Sequence, residues 1–485
     1  MLLVSRALFL VIIICKHFKP LALDKSIEHS CDTMDQVKFE YSMKNIPIPS
    51  QREFTTELIS SVEKFVKNLK WRAHYYLNPT QTNNSKKTYG FNSTTPPPKV
   101  DELIELQDML YDLVIGIKFR KHSNNFQRQL KDDVKKIAEE KRMFIGADKT
   151  TNFYKVTKEK RDELLEKNIH KDYKKANEEN VKNITKVDKR IATALDLEDR
   201  IYSTSRRQTF FTLKDHKPNF QNDQSCRILN PTKSEIGIVS QQILKNIVSE
   251  VRNKTNFNQW KNTHAVIDWF KGIKDKRRFS FIQFDLCDFY PTITEDLFIE
   301  SLEFASRCTA ISVEDKRIIL QARKSLLYHE NKPWIKKGNS EFDVGQGSFD
   351  GAKISELVGL FILSKLQHLK INVGLYRDDS LGVCCMSARQ IEKLKQEMVQ
   401  IFRTYNLKIT IDVNHKVVNF LDVTLDLESG LFKPYMKPNN TILYVNQKSN
   451  HPPAVLKNLP AAVNRRLCSI SANEDVFRDA IPPYQ

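Results

Sequence analysis

The chain has 485 residues, of which 40% are hydrophobic and 28% are charged. This composition is typical of a globular protein of about two to four domains. Its 77 Lys and Arg residues exceed its 59 Asp and Glu residues, so the formal net charge is +18. The excess favours a polyanionic partner, either nucleic acid or an acidic membrane face, and argues against a secreted enzyme with a neutral substrate.

Residues 1–23 form a hydrophobic leader similar to a signal peptide. Its apolar run, Ala7–Cys15, is too short for an ordinary membrane span. N-x-[ST] triplets such as those at Asn92, Asn183 and Asn253 would be glycosylation acceptors after secretion. The eight cysteines, however, are scattered and form no C-x-x-C pair, which indicates a reducing compartment. We therefore predict an intracellular protein, nuclear or cytoplasmic, without a membrane partner, and keep secretion as the alternative if the leader functions.

Residues 24–142 are predicted to form a helical N-terminal region. Apolar residues recur at helical spacing in "TTELISSVEKFVKNLKW", and a linker rich in Asn, Ser, Thr and Pro follows at 78–99. Charges are dense between about 100 and 200, which is typical of solvated helix faces. A strand-like stretch at 143–156, "MFIGADKTTNFYKV", interrupts these helices. Whether the charged helices bind RNA or only scaffold the next domain is left open.

From about residue 209 the pattern changes, and short β-like runs alternate with longer helical ones. The predicted helices are 235–251, 295–309, 351–369 and 387–404. This alternation predicts an α+β domain that carries its catalytic groups at strand ends. The region that ends the sequence, 426–485, is basic.

Three acids stand beside apolar strand-like runs. Asp285 follows the run in "FSFIQFDL", and Asp378 and Asp379 occupy the tip of a predicted hairpin in "GLYRDDSLGV". Taken alone, the Asp pair indicates only a turn. Three converging carboxylates would repel one another unless divalent cations neutralised them. Mg²⁺ prefers such oxygen ligands, and two ions could clamp a phosphate during in-line attack by a hydroxyl. We expect two Mg²⁺ ions, or Mn²⁺, at these acids.

Five segments in colinear order resemble reverse transcriptases, and among them the Penelope-like and related non-LTR retroelement enzymes. The segments are "FTLKDHKPNFQNDQSCRILNP" (211–231) for the fingers, "FDLCDFYPTI" for motif A, "FDVGQGSFDGAKISELVGLFILSKL" (342–366) for motif B, "YRDDSL" for motif C, and "LKITIDVNHKVVNFLDVTLDLESGLFKPYMKPN" (407–439) for motif D and the primer grip. The upstream "FIGADKTTNFYKV" also matches, so the resemblance covers about 143–460. It implies a right-hand polymerase fold, with fingers and palm at 143–425 and the primer-grip end and partial thumb at 426–485.

The resemblance assigns the catalytic and metal-binding roles to the three acids. Asp285 and Asp378 would hold both metals, with Asp379 assisting. Tyr290 would lie under the sugar, clash with a 2′-OH and so favour deoxynucleotides. A core aromatic residue beside Pro291 is the alternative for Tyr290.

Two basic residues of the fingers segment are implied to bind the incoming nucleotide. Lys214 and Arg227 would neutralise the triphosphate oxygens that the metals do not reach. Lys217 is a weaker candidate, since it could equally lie on a solvated face. Arg377 departs from the family pattern, because many relatives carry a small or apolar residue at that hairpin position. Its guanidinium could pair with an acid, contact the primer backbone or depress catalysis.

Motif B and the primer grip complete the implied site. Gln346 and Gly347 would contact the nucleotide, and Ser348 the template, since glycine permits close backbone approach. Motif B lacks the usual Ser-Pro, so its register is uncertain, and an ordinary Gly-rich turn is the alternative. Phe420 and Leu421 would anchor the primer grip, although "NFLDV" could equally be a core strand.

The sequence thus predicts an RNA-directed DNA polymerase of a retroelement. Its expected partners are an RNA template, a DNA primer or target DNA, and dNTPs, with no small organic cofactor. The alternative is a catalytically inactive, nucleic-acid-binding remnant of a reverse transcriptase. Clustered acids argue against the remnant, because a protein that only binds phosphates gains nothing from facing them with carboxylates. A secreted basic protein is a third reading, supported only by the leader and the glycosylation triplets.

Overall fold

The computed structural model describes most of the chain from residue 142 onward and parts of the N-terminal region. The described residues are 34–37, 54–78, 96–117, 142–150, 152–195, 197, 207–217, 219–231, 236–338, 340–369, 371–437 and 453–484, with isolated residues between 125 and 139 and between 442 and 451. The predicted leader, 1–23, and most of the predicted linker, 78–99, lie outside these ranges. Both therefore stay predictions.

Helices and strands alternate along the described chain. The α-helices are α1 Phe54–Leu77, α2 Ile104–Gly116, α3 Lys158–Asp172, α4 Glu178–Ala194, α5 Phe220–Asp223, α6 Ile236–Thr255, α7 Thr263–Gly272, α8 Phe289–Thr292, α9 Glu295–Ser306, α10 Val313–Gln321, α11 Gly351–Leu366, α12 Ala388–Thr404, α13 Pro453–Ser469 and α14 Glu474–Ala480. The strands are β1 Met34–Val37, β2 Arg142–Gly146, β3 Phe153–Thr157, β4 Tyr173–Lys175, β5 Phe210–Leu213, β6 Cys226–Leu229, β7 Asn258–Gln259, β8 Ser280–Leu286, β9 Leu327–His329, β10 Lys332–Lys336, β11 Asn372–Tyr376, β12 Asp379–Cys384, β13 Ile409–His415, β14 Val417–Phe420, β15 Val423–Asp426 and β16 Phe432–Pro434. This mixture confirms the predicted α+β class.

The four helices predicted after residue 209 are present as α6, α9, α11 and α12, with small shifts at their ends. Local capping explains two of the starts. The Thr294 hydroxyl accepts a hydrogen bond from the Leu297 N–H at 3.2 Å. Ser387 and Gln390 form a reciprocal capping box. Such contacts satisfy N–H groups that have no partner within the first turn of a helix.

The strand-like stretch at 143–156 differs from the prediction, because it forms a hairpin rather than one strand. β2 and β3 pair antiparallel, with Gly146 opposite Phe153. The Ala147 N–H donates to the Asn152 carbonyl at 2.9 Å and closes the loop. The polar "ADKTTN" between the apolar segments is turn-forming, so the chain reverses there.

A five-stranded sheet, in the order β13–β8–β12–β11–β7, lies at the centre of the fold. Ile282 and Phe284 of β8 belong to a large core with helices α6, α9, α11 and α12. Phe281 belongs to a second core, with α7 and the small β14–β15–β16 sheet. Both faces of β8 therefore carry buried apolar side chains. Its polar residues are Ser280, Gln283 and Asp285.

A separate core supports the fingers segment. β5 and β6 pair antiparallel with Thr212 opposite Arg227. Leu213 of β5 is buried together with Leu165 and Ile169 of α3. A bridge between Ala147 and Leu213 joins this pair to the β2–β3 hairpin. Among the described residues, no helix combines the length and the apolar character needed to span a bilayer.

Candidate active site

Backbone pairing brings two of the predicted acids together. β12 runs antiparallel to β8, and in their register Asp379 is directly opposite Asp285. The Leu286 N–H donates to the Asp378 carbonyl at 3.2 Å, so the hairpin tip lies against the end of β8. Directly opposed residues on adjacent strands have neighbouring Cβ atoms. All three acids are therefore placed at one end of the central sheet.

A tight turn carries the middle acid, Asp378, which is half-buried. Tyr376 pairs with Asp379, so only Arg377 and Asp378 connect β11 to β12. Arg377 adopts φ 58°, in the left-handed region that two-residue hairpins favour. Its guanidinium lies 5.5 Å from the centre of the Tyr376 ring. The Arg377 guanidinium therefore makes a cation–π contact with Tyr376, next to the acids.

The acids repel one another electrostatically. Burial, followed by the charges of Asp378 and Asp285, raises the pKa of Asp379 to about 6. Burial, followed by the charge of Asp378, also raises the pKa of Asp285. The Asp285 and Asp379 side chains both remain accessible to solvent, so they are only partly desolvated. A divalent cation would relieve this repulsion.

The three side chains are neighbours, but they do not form a closed coordination shell. Among the described residues, no group of three His, Cys, Asp or Glu side chains has the spacing of a metal site. The donor chemistry nevertheless fits Mg²⁺, since three carboxylates at one end of the sheet supply hard oxygen ligands. Binding would have to draw the side chains together.

The two basic residues predicted to bind the triphosphate are both paired with acids. Lys214, directly after β5, lies with its Nζ 3.5 Å from Asp288 Oδ1. Arg227 of β6 has its Nη1 3.0 Å from Asp148 Oδ1. Lys214 is therefore next to the acid-bearing end of β8, whereas Arg227 is held on the β2–β3 hairpin.

Sequence reasoning missed one basic residue near the acids, Lys149, and kept Lys217 as a weaker candidate. The positive charges of both residues partly offset the rise in the pKa of Asp285. Lys149 lies in the β2–β3 turn, which is fastened to the fingers by the Asp148 N–H, a donor to the Leu213 carbonyl at 2.8 Å. A lysine in a polar turn carries no local signal of this placement. Only the match of "FIGADKTTNFYKV" to an upstream family segment could have indicated it.

Tyr290 lies in α8, directly after the motif A strand. Its ring is half-buried and packs against the main core. Its hydroxyl accepts a hydrogen bond from Ser355 Oγ of α11 at 3.3 Å. The residue thus combines packing with partial access to solvent, so both the sugar-contact role and the core-aromatic alternative remain compatible with its position.

The motif B turn requires its glycine. Gly347 adopts φ +104°, and an added Cβ would lie 2.8 Å from the Asn230 carbonyl oxygen. The Asn230 N–H donates to the Gln346 carbonyl at 3.2 Å, and Ser348 Oγ donates to the Gly345 carbonyl at 3.0 Å. Both the backbone conformation and the close approach exclude a side chain at residue 347.

The predicted primer-grip pair divides into two environments. Phe420 is buried, with its ring centre 5.5 Å from that of Trp260. Leu421 adopts φ 54° in the β14–β15 turn and packs half-buried against the same core. Phe420 is therefore a core-strand residue that supports the turn rather than an exposed contact.

The fold is similar to those of solved polymerase structures. The telomerase of Candida albicans in complex with a TWJ fragment of telomeric RNA matches with 10% identity over 90% of this chain and 78% of that chain, at a TM-score of 0.48. Apo telomerase of Candida tropicalis matches with 10% identity over 78% and 70%, at 0.45. The RNA-dependent RNA polymerase of a human picobirnavirus matches with 12% identity over 46% and 45%, at 0.35.

At such identities and TM-scores, the similarities assign no activity to this chain. No protein-family profile matches the sequence, and no curated protein matches it. The fold class stands on the geometry described above: an acid-tipped hairpin beside an acid-bearing strand, helices packed on the sheet, and a basic fingers residue, Lys214, paired with Asp288 just after that strand. These features agree with the right-hand polymerase fold that the sequence predicted.

Proposed function

We propose that the chain is an RNA-directed DNA polymerase of a retroelement. It extends a nucleic-acid 3′-OH with dNTPs on an RNA template and releases pyrophosphate. The observation that carries the proposal is the register that sets Asp379 opposite Asp285 at the tip of the Asp378 hairpin. Acids gathered at one end of a sheet, in a protein of net charge +18, suit a reaction on a polyanion through bound cations.

Asp285, Asp378 and Asp379 would hold two Mg²⁺ ions, which when bound supply charge neutralisation and a more acidic 3′-OH. The remaining groups of the chain act by position and charge. Lys214, with the nearby Lys149 and Lys217, neutralises the triphosphate. Tyr290 limits the space at the 2′ position of the sugar.

The retroelement assignment rests on the five colinear segments that resemble Penelope-like enzymes. DNA synthesis, rather than RNA synthesis, rests on Tyr290. A bulky ring beside the strand of Asp285 would clash with a 2′-OH, and its half-buried position against α11 keeps it in place. We infer that dNTPs are preferred over rNTPs.

The test is primer extension on an RNA template with Mg²⁺ or Mn²⁺, comparing the wild type with Asp378→Asn. We expect dNTP incorporation by the wild type and a loss of at least about 1,000-fold in the variant, as for the removal of a metal ligand worth several kcal/mol. Equal incorporation by both proteins would exclude the assigned site. Failure of both, with correct folding and retained RNA binding, would favour the inactive remnant.

A further inference from the structure

A buried cation lies behind motif B. Arg323, after the end of α10, is 2% exposed and is among the largest fully buried side chains of the described chain. Its Nη2 forms an ion pair with Asp350 Oδ1, and its Nη1 donates to the Asp343 carbonyl at 3.5 Å. Asp350 is fully buried, and its other carboxylate oxygen accepts a hydrogen bond from Ser240 Oγ at 2.5 Å.

These contacts hold both ends of one short loop. We call residues 345–349, which lie between Asp343 and Asp350, the Gly-rich loop. Before the loop, the Asp343 N–H donates to the Arg323 carbonyl at 2.9 Å. After it, the Asp350 carbonyl accepts from the N–H groups of Lys353 and Ile354 at the start of α11. One guanidinium thus joins the residue before the loop to the residue that begins the following helix.

The same network reaches β4, whose Tyr173 belongs to the core that supports the fingers segment. The Asp343 carboxylate accepts a hydrogen bond from the Tyr173 hydroxyl of β4 at 3.0 Å. Gln241 Nε2 of α6 donates to the Phe349 carbonyl at 2.6 Å. The Gly-rich loop is therefore fastened to β4, to α6 and to the end of α10, while its own segment around Gln346 faces Asn230.

Stability alone does not account for this ion pair. Removing two charges from water is costly, and replacing a buried pair with apolar residues is often neutral or stabilising. The Arg323 Nε also has no hydrogen-bond partner among the described residues, a further cost. A buried guanidinium is well suited to fixing geometry, because its planar, forked set of N–H donors accepts few alternative arrangements of its partners.

We propose that Arg323, supported by Ser240 and Asp350, is a positioning residue that fixes the Gly-rich loop for template and nucleotide. The proposal rests on the polymerase function given above. Arg323 itself contacts no substrate. It acts through Gln346, Gly347 and Ser348, whose backbone placement depends on the two ends that Arg323 holds.

The test uses two buried serines as a matched pair. Ser240→Ala removes the hydrogen bond to Asp350, whereas Ser301→Ala removes one to a carbonyl of its own helix, Leu297, at 2.8 Å. Both serines are fully buried. Arg323→Lys is the stronger variant, because lysine keeps the charge but cannot bridge two partners with a fork.

We expect Ser240→Ala to raise the KM for dNTP and the misincorporation frequency at least about threefold, and Arg323→Lys at least about tenfold. Ser301→Ala should change neither. Amide hydrogen exchange in residues 345–349 should accelerate in Ser240→Ala and Arg323→Lys only, whether or not the protein polymerises.

Wild-type kinetic parameters and exchange rates in Ser240→Ala would overturn the proposal, as would the same changes in Ser301→Ala. If the wild type incorporates no dNTP, the polymerase function fails. Faster exchange confined to the loop would then still support the positioning role, and unchanged exchange would reject it. If Arg323→Lys does not fold, the serine pair decides alone.

Discussion

Asp285 and Asp379 are neighbours because of a single register position between β8 and β12, and their proximity has an energetic cost. Burial and the charge of Asp378 raise the pKa of both carboxyls, so without metal the folded state holds charges that the unfolded chain can separate. An arrangement that destabilises the protein alone and suits a bound cation is typical of a functional site.

Asp285→Asn therefore separates function from stability. We expect it to abolish extension and to raise the Tm of the metal-free protein at neutral pH, because one of the repelling charges is removed. Thermal unfolding in EDTA and primer extension in Mg²⁺ provide the two readouts. A lower Tm together with full activity would show that Asp285 is a structural residue.

Tyr290 tests the choice of sugar. Tyr290→Ala should reduce the preference for dNTP over rNTP at least about tenfold, since removal of a steric clash worth more than about 1.4 kcal/mol changes a rate ratio by that factor. Tyr290→Phe is the control, because it keeps the ring and loses only the contact with Ser355. The ratio of kcat/KM values for the two nucleotides is the measurement. Unchanged selectivity in Tyr290→Ala would identify a packing residue.

At the scale of elements, the Gly-rich loop depends on its backbone conformation. Gly347→Ala should cost about 1–3 kcal/mol of folding free energy from left-handed strain and should reduce extension strongly. The reason is the Asn230 carbonyl, 2.8 Å from the added Cβ, which would displace the loop.

Gly430 provides the matched control for that variant. It also has a positive φ, +72°, but an added Cβ meets only the Lys276 side chain at 3.8 Å. Gly430→Ala should show a similar loss in urea-unfolding free energy with extension unchanged. Equal activity in the two alanine variants would show that the loop does not serve the reaction.

Elements were predictable from sequence where the signal is local. The start of α9 follows from Thr294 and that of α12 from Ser387 and Gln390, because capping depends on residues a few positions apart. The hairpin of Asp378 and the end of β8 were likewise visible as apolar runs that stop at acids.

Placement set by distant contacts was not predictable. Nothing near Lys149 indicates that the β2–β3 turn is fastened beside Leu213, and nothing near Arg323 indicates that it is buried between Asp343 and Asp350. For Phe420, the family resemblance implied a primer-grip role and the local sequence allowed a core strand. Its packing on Trp260 favours the core strand.

At the scale of the whole molecule, the formal charge of +18 predicts how the protein binds RNA. Release of counterions from phosphates should make affinity fall at least about tenfold between about 50 and 200 mM salt. Fluorescence anisotropy with a short RNA–DNA hybrid measures this slope. An affinity that does not change with salt concentration would mean that the excess charge does not face nucleic acid.

The most direct measurement of the central claim is anomalous scattering from Mn²⁺ in crystals of the protein with an RNA–DNA primer–template and a non-hydrolysable dNTP analogue. The account predicts two manganese peaks at the carboxylates of Asp285, Asp378 and Asp379, next to the phosphates of the bound nucleotide. A complex with an ordered nucleotide and no manganese at these carboxylates would contradict it.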